Sequence, residues 1–390
     1  MEHNKNKKNI LYLSPTQSYY GAERCLFELA KYLNKDKFTP YVIAQKGATY
    51  KDKFSESGIP FFQVDLIIAP KMKNLLRIIK LNYSLTVFVI RHKINLVHIN
   101  FQLRTEESLI PFFIFMKLSN IPWVYHLRFH ETFGALKRFI LFRGYIISVS
   151  EQIRKQFLST SSRFSFLSFR RPDRALTVHD GKDLSLFLEN NSTENLREQF
   201  KLNGKCVIGI VGAIDPRKRQ DLFLLIANEI KKTFPMTKFL IIGDTYSDSA
   251  KNSTYKQNIL KMVENLGLKE DVVFTGYRND VHLFLKLLDV CVLTSERDPF
   301  PGTIIEAMAS EKPIVAAAVD GVVEMVDDEK TGFLIRSNNP KEYANRISLL
   351  LTDEHIKNTM GIEARKKAIE LFSIQHHVLA IEEAYEKILN

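Results

Sequence analysis

Short, unbroken apolar segments alternate with longer amphipathic segments along most of this sequence, and that alternation constrains its fold more than any other feature. Strands that are buried on both faces give unbroken apolar runs, which is typical of parallel sheets covered by helices. Strand–helix repetition of this kind predicts βαβ units. The expected strands are residues 10–13, 41–44, 61–64, 96–99, 124–127, 146–149, 207–211, 239–242, 272–274, 290–293 and 313–317.

The alternation stops between about residues 170 and 200, where the sequence is polar, and resumes at Val207. We place a linker near residues 182–194. A chain of 390 residues is also too long for one ordinary core at about 150 residues per domain. The pattern therefore predicts an α/β protein with two Rossmann-like, doubly wound parallel-sheet domains that face each other across a cleft. In such sheets ligands bind at the carboxyl ends of the strands.

Charge is distributed unevenly along the chain. Residues 1–190 hold 29 basic and 15 acidic side chains, whereas residues 191–390 hold 26 basic and 29 acidic ones. This asymmetry indicates that the first half meets an anionic partner such as a membrane surface. Nucleic acid is not expected, because no recognition motif accompanies the charge.

Residues 71–81 mix cations with an apolar stripe, and Lys137, Arg138 and Arg143 add further positive charge. Such a helix can lie on an anionic bilayer, or it can be a surface helix that packs its apolar face inward.

Cysteine usage and hydropathy point to a cytoplasmic protein. Cys25, Cys206 and Cys291 are far apart and fit neither a disulfide framework nor a zinc site, so we expect reduced thiols. We expect no signal peptide and no transmembrane helix, because no apolar run reaches about 18 residues.

Several common ligand-binding motifs are absent from the sequence. It contains no G-x-G-x-x-G, no P-loop, no G-x-S-x-G and no Asp-x-Asp pair. We therefore expect an anionic ligand to be held without a metal ion.

The most informative segment is residues 290–318. A buried strand ends at Thr294-Ser295, a loop carries Asp298, and a helix is expected to start near Thr303. Free N–H groups at a helix start favour a phosphate. Glu306, expected in the first turn, can accept hydrogen bonds from a sugar diol, and Asp298 can accept from a second sugar.

This segment, D-P-F-P-G-T-I-I-E-A-M-A, resembles the Glu-x7-Glu region of the family 4 glycosyltransferases with the GT-B fold, also called glycosyl transferases group 1. Here the pattern is Asp-x7-Glu. The resemblance implies that Asp298 contacts the transferred sugar and that Glu306 binds the nucleotide ribose. It also places Phe300, Gly302 and Thr303 in the donor site.

A second segment, V-G-A-I-D-P-R-K-R-Q-D at residues 211–221, is similar to the part of the family whose Arg and Lys hold the donor diphosphate. Lys218 matches the Lys. Ala213 replaces the usual Arg, and Arg217 or Arg219 can supply the missing charge. Positive charge matters there because the departing diphosphate gains negative charge in the transition state.

Other matches to the family are looser and cover most of residues 10–375. They suggest Tyr277 and Arg278 near the nucleobase, Gly21 in a loop near the donor phosphates, and His126 pointing at the donor sugar. His98 is expected to be an interior histidine with its hydrogen bonds satisfied. Residues 319–326 resemble a G-G-V-x-E-x-V turn, with Asp320 at the first glycine.

The resemblance implies a metal-independent, retaining hexosyltransferase without a bound cofactor, in which His126, Asp298 and Lys218 are catalytic. It would transfer a sugar from a UDP or GDP sugar to a carbohydrate or lipid-linked acceptor, in polysaccharide or lipopolysaccharide synthesis, in the cytoplasm or at the inner face of the membrane. The expected domains are 1–185 on the acceptor side, 186–372 for the nucleotide sugar, and a helix 373–390 that crosses back. The alternatives are a nucleotide-sugar epimerase and a non-catalytic partner subunit.

Overall fold

The computed structural model describes residues 7–66, 68, 71–100, 109–129, 144–159, 172–189, 191–245 and 250–390. The chain forms two compact units. The N-terminal unit comprises Met1–Gly181 and Ile374–Asn390, and the C-terminal unit comprises Lys182–Ser373.

The N-terminal unit is built on a seven-stranded parallel sheet in the order β3-β2-β1-β4-β5-β6-β7. Its strands are β1 (Lys8–Ser14), β2 (Phe38–Gln45), β3 (Phe61–Val64), β4 (Ile94–Ile99), β5 (Trp123–Leu127), β6 (Tyr145–Ser148) and β7 (Ala175–Thr177). Its described helices are α1 (Gly21–Tyr32), α2 (Lys51–Glu56), α3 (Leu75–Arg91), α4 (Ile110–Leu118), α5 (Glu151–Ser159) and the last helix of the chain, α15 (Ile374–Leu389).

Strand β1 shows why the apolar runs of this unit are unbroken. Leu11 and Leu13 belong to the core cluster on one face of the sheet. Ile10 and Tyr12 belong to a second cluster, which also contains Tyr385 from α15. Both faces of the strand are therefore buried, and α15 is part of the core of the N-terminal unit.

The C-terminal unit is built on a six-stranded parallel sheet in the order β10-β9-β8-β11-β12-β13. Its strands are β8 (Cys206–Val211), β9 (Thr237–Ile242), β10 (Val272–Gly276), β11 (Val290–Leu293), β12 (Ile314–Ala317) and β13 (Gly332–Ile335). Its described helices are α6 (Ser185–Leu188), α7 (Glu194–Gln199), α8 (Gln220–Lys231), α9 (Ala250–Asn265), α10 (Val281–Leu287), α11 (Gly302–Ala309), α12 (Val322–Met325), α13 (Pro340–Thr352) and α14 (Glu354–Phe372).

The predicted α/β class with two parallel-sheet domains is confirmed. Two strands were not predicted, β7 and β13, which lie at sheet edges and contain only three and four residues. A three-residue strand such as β7 carries too few residues for a periodic signal. Within the described ranges, no helix has the length and apolar character needed to cross a membrane.

Candidate functional site

The segment after β11 forms a loop and then a helix, as its sequence predicts. Thr294 and Ser295 are buried at the end of the strand, and Asp298 is buried in the loop. The Asp298 carboxylate accepts a hydrogen bond from Ser295 Oγ at 3.3 Å. Because α11 begins at Gly302, Glu306 lies in its second turn and not in the first turn as predicted.

Lys218 joins this loop from another part of the unit. It lies in a short 3-10 turn, Pro216–Lys218, and its ammonium group forms an ion pair with Asp298. Thr294 Oγ1 donates to the main-chain carbonyl of Lys218 at 2.8 Å, which fixes the turn against the end of β11. Two segments that the sequence singled out separately therefore meet at one place.

The arginines next to Lys218 have acidic partners of their own. Arg217 Nε lies 3.0 Å from Asp215 Oδ1, and the Arg219 guanidinium lies 3.1 Å from Asp221 Oδ2. Burial acts to raise the pKa of Asp215, but hydrogen bonds and charge from Arg217 hold it below its ordinary value.

A further lysine lies at the start of α11. Lys182 Nζ is 3.5 Å from Glu306 Oε1, and Lys182 is buried. A Cβ atom at Gly302 would come within 2.7 Å of Lys182 Cε, so the glycine permits this close approach. Thr303 Oγ1 is buried with no hydrogen-bond partner among the described residues.

Lys182 was not predicted as a site residue. It stands at the first position of residues 182–194, where the sequence predicts only a linker. Its partner Glu306 is far away in the sequence. The feature that could have drawn attention to Lys182 is its position just before the second series of strands.

Asp320 holds the Asp298 loop in place. Its Oδ2 accepts a hydrogen bond from the main-chain N–H of Asp298 at 2.8 Å. Its φ of +42° lies in the left-handed region, which favours glycine and which Asp tolerates better than most residues. This conformation gives a physical reason for the glycine at the matching position of the family turn.

Three other residues of the C-terminal unit were predicted to belong to the donor site. Tyr277 is exposed, and the Arg278 guanidinium bonds Asp280 at 2.8 Å. The Phe300 ring packs edge-on against Phe372 at 5.5 Å between centroids.

In the N-terminal unit, Gly21 begins α1, and a Cβ atom there would have no neighbour within 4 Å. The packing of the unit therefore does not require glycine at this position. The Glu23 carboxylate ties the preceding loop to the helix, because it accepts hydrogen bonds from Thr16 Oγ1 at 2.7 Å and from the Tyr20 N–H at 3.3 Å. Burial raises the pKa of Glu23.

His126, near the end of β5, is part of a buried chain of polar groups. Its Nδ1 lies 3.1 Å from His98 Nε2, and His98 Nδ1 lies 2.6 Å from the Tyr385 hydroxyl on α15. This chain of contacts fixes the orientation of the His126 ring. The other ring nitrogen, Nε2, is buried and has no hydrogen-bond partner within the described part of the chain.

A buried ion pair lies next to these rings. Arg128 pairs with Asp180, and Arg128 Nη2 also lies 3.4 Å from His126 Nδ1. Burial, reinforced by the Arg128 charge, holds the pKa values of His98 and His126 well below the ordinary 6.5.

The C-terminal unit thus brings together two lysines, two carboxylates and a helix start, a set that suits an anion with neighbouring hydroxyl groups. No cluster of three or more His, Cys, Asp or Glu side chains suited to a metal ion occurs in the described ranges.

Comparison with known proteins defines the class. The fold matches that of an Anabaena protein solved in complex with UDP-glucose, with a TM-score of 0.79 and 23% identity over 97% of this chain and 99% of that one. The chain therefore has the GT-B fold. Residues 192–367, in the C-terminal unit, match the family model "Glycosyl transferases group 1", and the resemblance seen in the sequence is confirmed.

Two curated relatives show which reactions similar proteins perform. A UDP-Gal:α-D-GlcNAc-diphosphoundecaprenol α-1,3-galactosyltransferase of Escherichia coli is 25% identical over 98% of this chain and 97% of its own length. A poly(ribitol-phosphate) α-N-acetylglucosaminyltransferase of Staphylococcus aureus (strain COL) is 26% identical over 65% of this chain, and the chain spans only 48% of that relative. Both belong to glycan synthesis.

Proposed function

We propose that this protein transfers a hexosyl residue from a UDP sugar to an acceptor hydroxyl with retention of the anomeric configuration. The observation that carries the proposal is the ion pair between Lys218 and Asp298 at the loop that precedes α11. A cation for a phosphate and a carboxylate for sugar hydroxyls stand side by side there, as transfer from a sugar diphosphate requires.

The donor roles follow from this arrangement. Lys218, with Arg217 beside it, would neutralise the diphosphate, and Asp298 would accept hydrogen bonds from the transferred sugar. Glu306 would accept from the ribose hydroxyls, and Thr303 Oγ1 and the first N–H groups of α11 would bond the distal phosphate. Uridine is the preferred base, because the fold neighbour binds UDP-glucose and the E. coli relative uses UDP-Gal. GDP sugars are the second choice.

Retention would occur on one face of the sugar. The bond between the anomeric carbon and the diphosphate oxygen breaks, the acceptor oxygen bonds the same face, and the acceptor proton passes to the departing diphosphate. Lys218 would stabilise the charge that gathers on that leaving group. His126 Nε2 would form a hydrogen bond with a donor-sugar hydroxyl. The side chains themselves would supply the positive charge, so we expect no metal requirement and no cofactor.

The acceptor would be a sugar carried on a lipid diphosphate or a surface polysaccharide. Support comes from the E. coli relative, whose acceptor is a diphosphoundecaprenol-linked GlcNAc. We place the reaction in the cytoplasm, at the inner face of the membrane.

Product analysis tests this function. The protein would be incubated with UDP-Gal, UDP-Glc, UDP-GlcNAc or a GDP sugar and a lipid-diphosphate GlcNAc acceptor, with and without EDTA. We expect transfer from one UDP sugar in both conditions, with an α-anomeric NMR coupling in the product when the donor is α-linked. Inverted stereochemistry would contradict the retaining mechanism.

The same assay separates the alternatives. A nucleotide-sugar epimerase would interconvert donors without acceptor, and a partner subunit would turn over nothing alone. Glu306→Gln should abolish most transfer, whereas Glu311→Gln, which breaks only the surface pair with Arg365 at 2.7 Å, should not.

A further inference from the structure

Helix α3 has two apolar faces, and only one of them is part of the core. Leu81, Leu85 and Val89 are buried against the sheet of the N-terminal unit. A second stripe points away from it and consists of Leu76, Ile79, Tyr83, Val87 and Ile90, called here the outer face of α3. Leu76 is 81% exposed, Tyr83 70% and Ile90 65%.

The spacing makes the outer face continuous. Its members are three or four positions apart, so they form one line along the helix. Met72, just before the helix, and Leu118, on the neighbouring helix α4, are exposed as well. An amphipathic surface helix normally has one apolar face, so a second one indicates a surface that meets something apolar.

The charges along this helix identify the partner. Residues 71–93 contain six basic side chains and no acidic one. Arg77 and Lys80 each follow a member of the outer face by one position, and Lys73 follows the exposed Met72 in the same way, so the cations run along the edge of the apolar line. Arg77 also pairs with Asp65.

We propose that the outer face of α3 docks on an anionic lipid bilayer. The apolar line would enter the boundary between headgroups and acyl chains, and the flanking lysines would contact phosphate headgroups. Tyr83 suits that boundary, where amphipathic rings collect. A protein partner fits less well, because lysine is depleted in the centre of protein interfaces. The inference concerns a surface and holds independently of the sugar and nucleotide that the enzyme uses.

Sedimentation with vesicles tests the proposal. The full chain would be mixed with vesicles that contain about one third phosphatidylglycerol, or only phosphatidylcholine, at about 0.05 M and about 0.5 M salt. We expect binding to the anionic vesicles at low salt and weaker binding at high salt. No binding to anionic vesicles at low salt would overturn the proposal.

Matched variants locate the surface. The triple variant Leu76→Gln/Ile79→Gln/Tyr83→Gln keeps every charge and should bind at least about tenfold more weakly. The control Met236→Gln/Ile362→Gln/Ile369→Gln changes three exposed apolar residues of the C-terminal unit and should bind like wild type. Equal binding by both triple variants would overturn the assignment to α3.

Fluorescence and light scattering distinguish lipid binding from self-association through α3. Tyr83→Trp adds a fluorophore to a chain whose single Trp123 is buried, and its emission should shift to shorter wavelength when anionic vesicles are added. Light scattering without vesicles tests a second copy of the chain as the partner. The alternative outcome is a wild-type protein that is a dimer and does not bind vesicles, together with an α3 triple variant that is a monomer. That outcome would overturn the lipid proposal and identify the outer face of α3 as a self-association surface.

Discussion

Lys218 and Asp298, 80 positions apart in the chain, form an ion pair at the loop that precedes α11. The pair joins the two segments that the sequence had assigned to the diphosphate and to the transferred sugar. In the proposed reaction the bound donor would contact both members of the pair. Its phosphate would contact the Lys218 ammonium group, and a hydroxyl of its sugar would donate a hydrogen bond to the Asp298 carboxylate.

Replacing Lys218 by Met should remove the charge that stabilises the leaving diphosphate. We expect kcat/KM to fall by about 10²- to 10³-fold, mainly in kcat, since that charge develops in the transition state. The measurement is initial-rate kinetics with the preferred UDP sugar. The control Lys232→Met breaks only an exposed pair with Glu229 and should change kcat/KM by less than about twofold. Wild-type kcat in Lys218→Met would contradict the assigned role.

Replacing Lys182 by Met should act on donor binding. Lys182 positions the carboxylate of Glu306, in the second turn of α11. Contacts to the ribose persist from the ground state to the transition state. We therefore expect a donor KM about tenfold higher with kcat changed less than about threefold. Lys182→Arg should recover part of the affinity. A fall in kcat at unchanged KM would instead place Lys182 at the reacting phosphate.

Replacing His98 by Leu tests the chain of contacts that orients His126. The variant removes both hydrogen bonds of His98, so His126 loses its fixed position, and kcat should fall by about tenfold. His98→Gln keeps a polar group that can bond on both sides and should restore most of the rate. Melting temperatures would be measured in parallel, because His98→Leu removes one hydrogen bond each from the buried Tyr385 and His126 side chains. Equal kcat values in the two variants would show that His98 has only a packing role.

Acid should destabilise the N-terminal unit over a defined pH range. Burial is the main cause that lowers the pKa values of His98, His126 and His377 in the folded protein, whereas in the unfolded chain they titrate near 6.5. The unfolded state therefore binds more protons below about pH 6.5, and stability that is complete above that value is lost as the pH falls. Each histidine contributes a slope of up to about 1.4 kcal/mol per pH unit.

Urea unfolding between about pH 8 and 5.5 measures that slope. His98→Gln should reduce the pH dependence of the unfolding free energy by the contribution of about one bound proton. His355→Gln, at an exposed position, should leave that dependence unchanged. A flat free energy of unfolding over this range would contradict the neutral buried cluster.

Much of the fold could be predicted because its cause is local. Strands such as β8 and β11 are apolar on both faces, and that burial is visible in the sequence. The loop of Asp298 could also be located, since a strand end followed by a helix start is encoded within a few residues.

What could not be predicted depends on pairs that only the tertiary fold creates. His98 and Tyr385 are 287 positions apart, and no local pattern indicates that α15 brings a hydroxyl to a histidine on β4. The Lys182–Glu306 contact likewise joins residues that are far apart in the sequence. The left-handed conformation of Asp320 is likewise set by the loop that it holds and not by its neighbours in sequence.

Calorimetric titration of nucleoside diphosphates tests the central claim most directly. UDP, GDP, CDP and ADP would be titrated, without metal ion, into wild type, Lys218→Met, Glu306→Gln and Lys232→Met. We predict that wild type and Lys232→Met bind UDP most tightly and that the two site variants lose at least about 1.4 kcal/mol, a tenfold change in Kd. Equal UDP affinity in all four proteins, or no nucleotide binding by folded wild type, would contradict the donor site built on Lys218, Asp298 and Glu306.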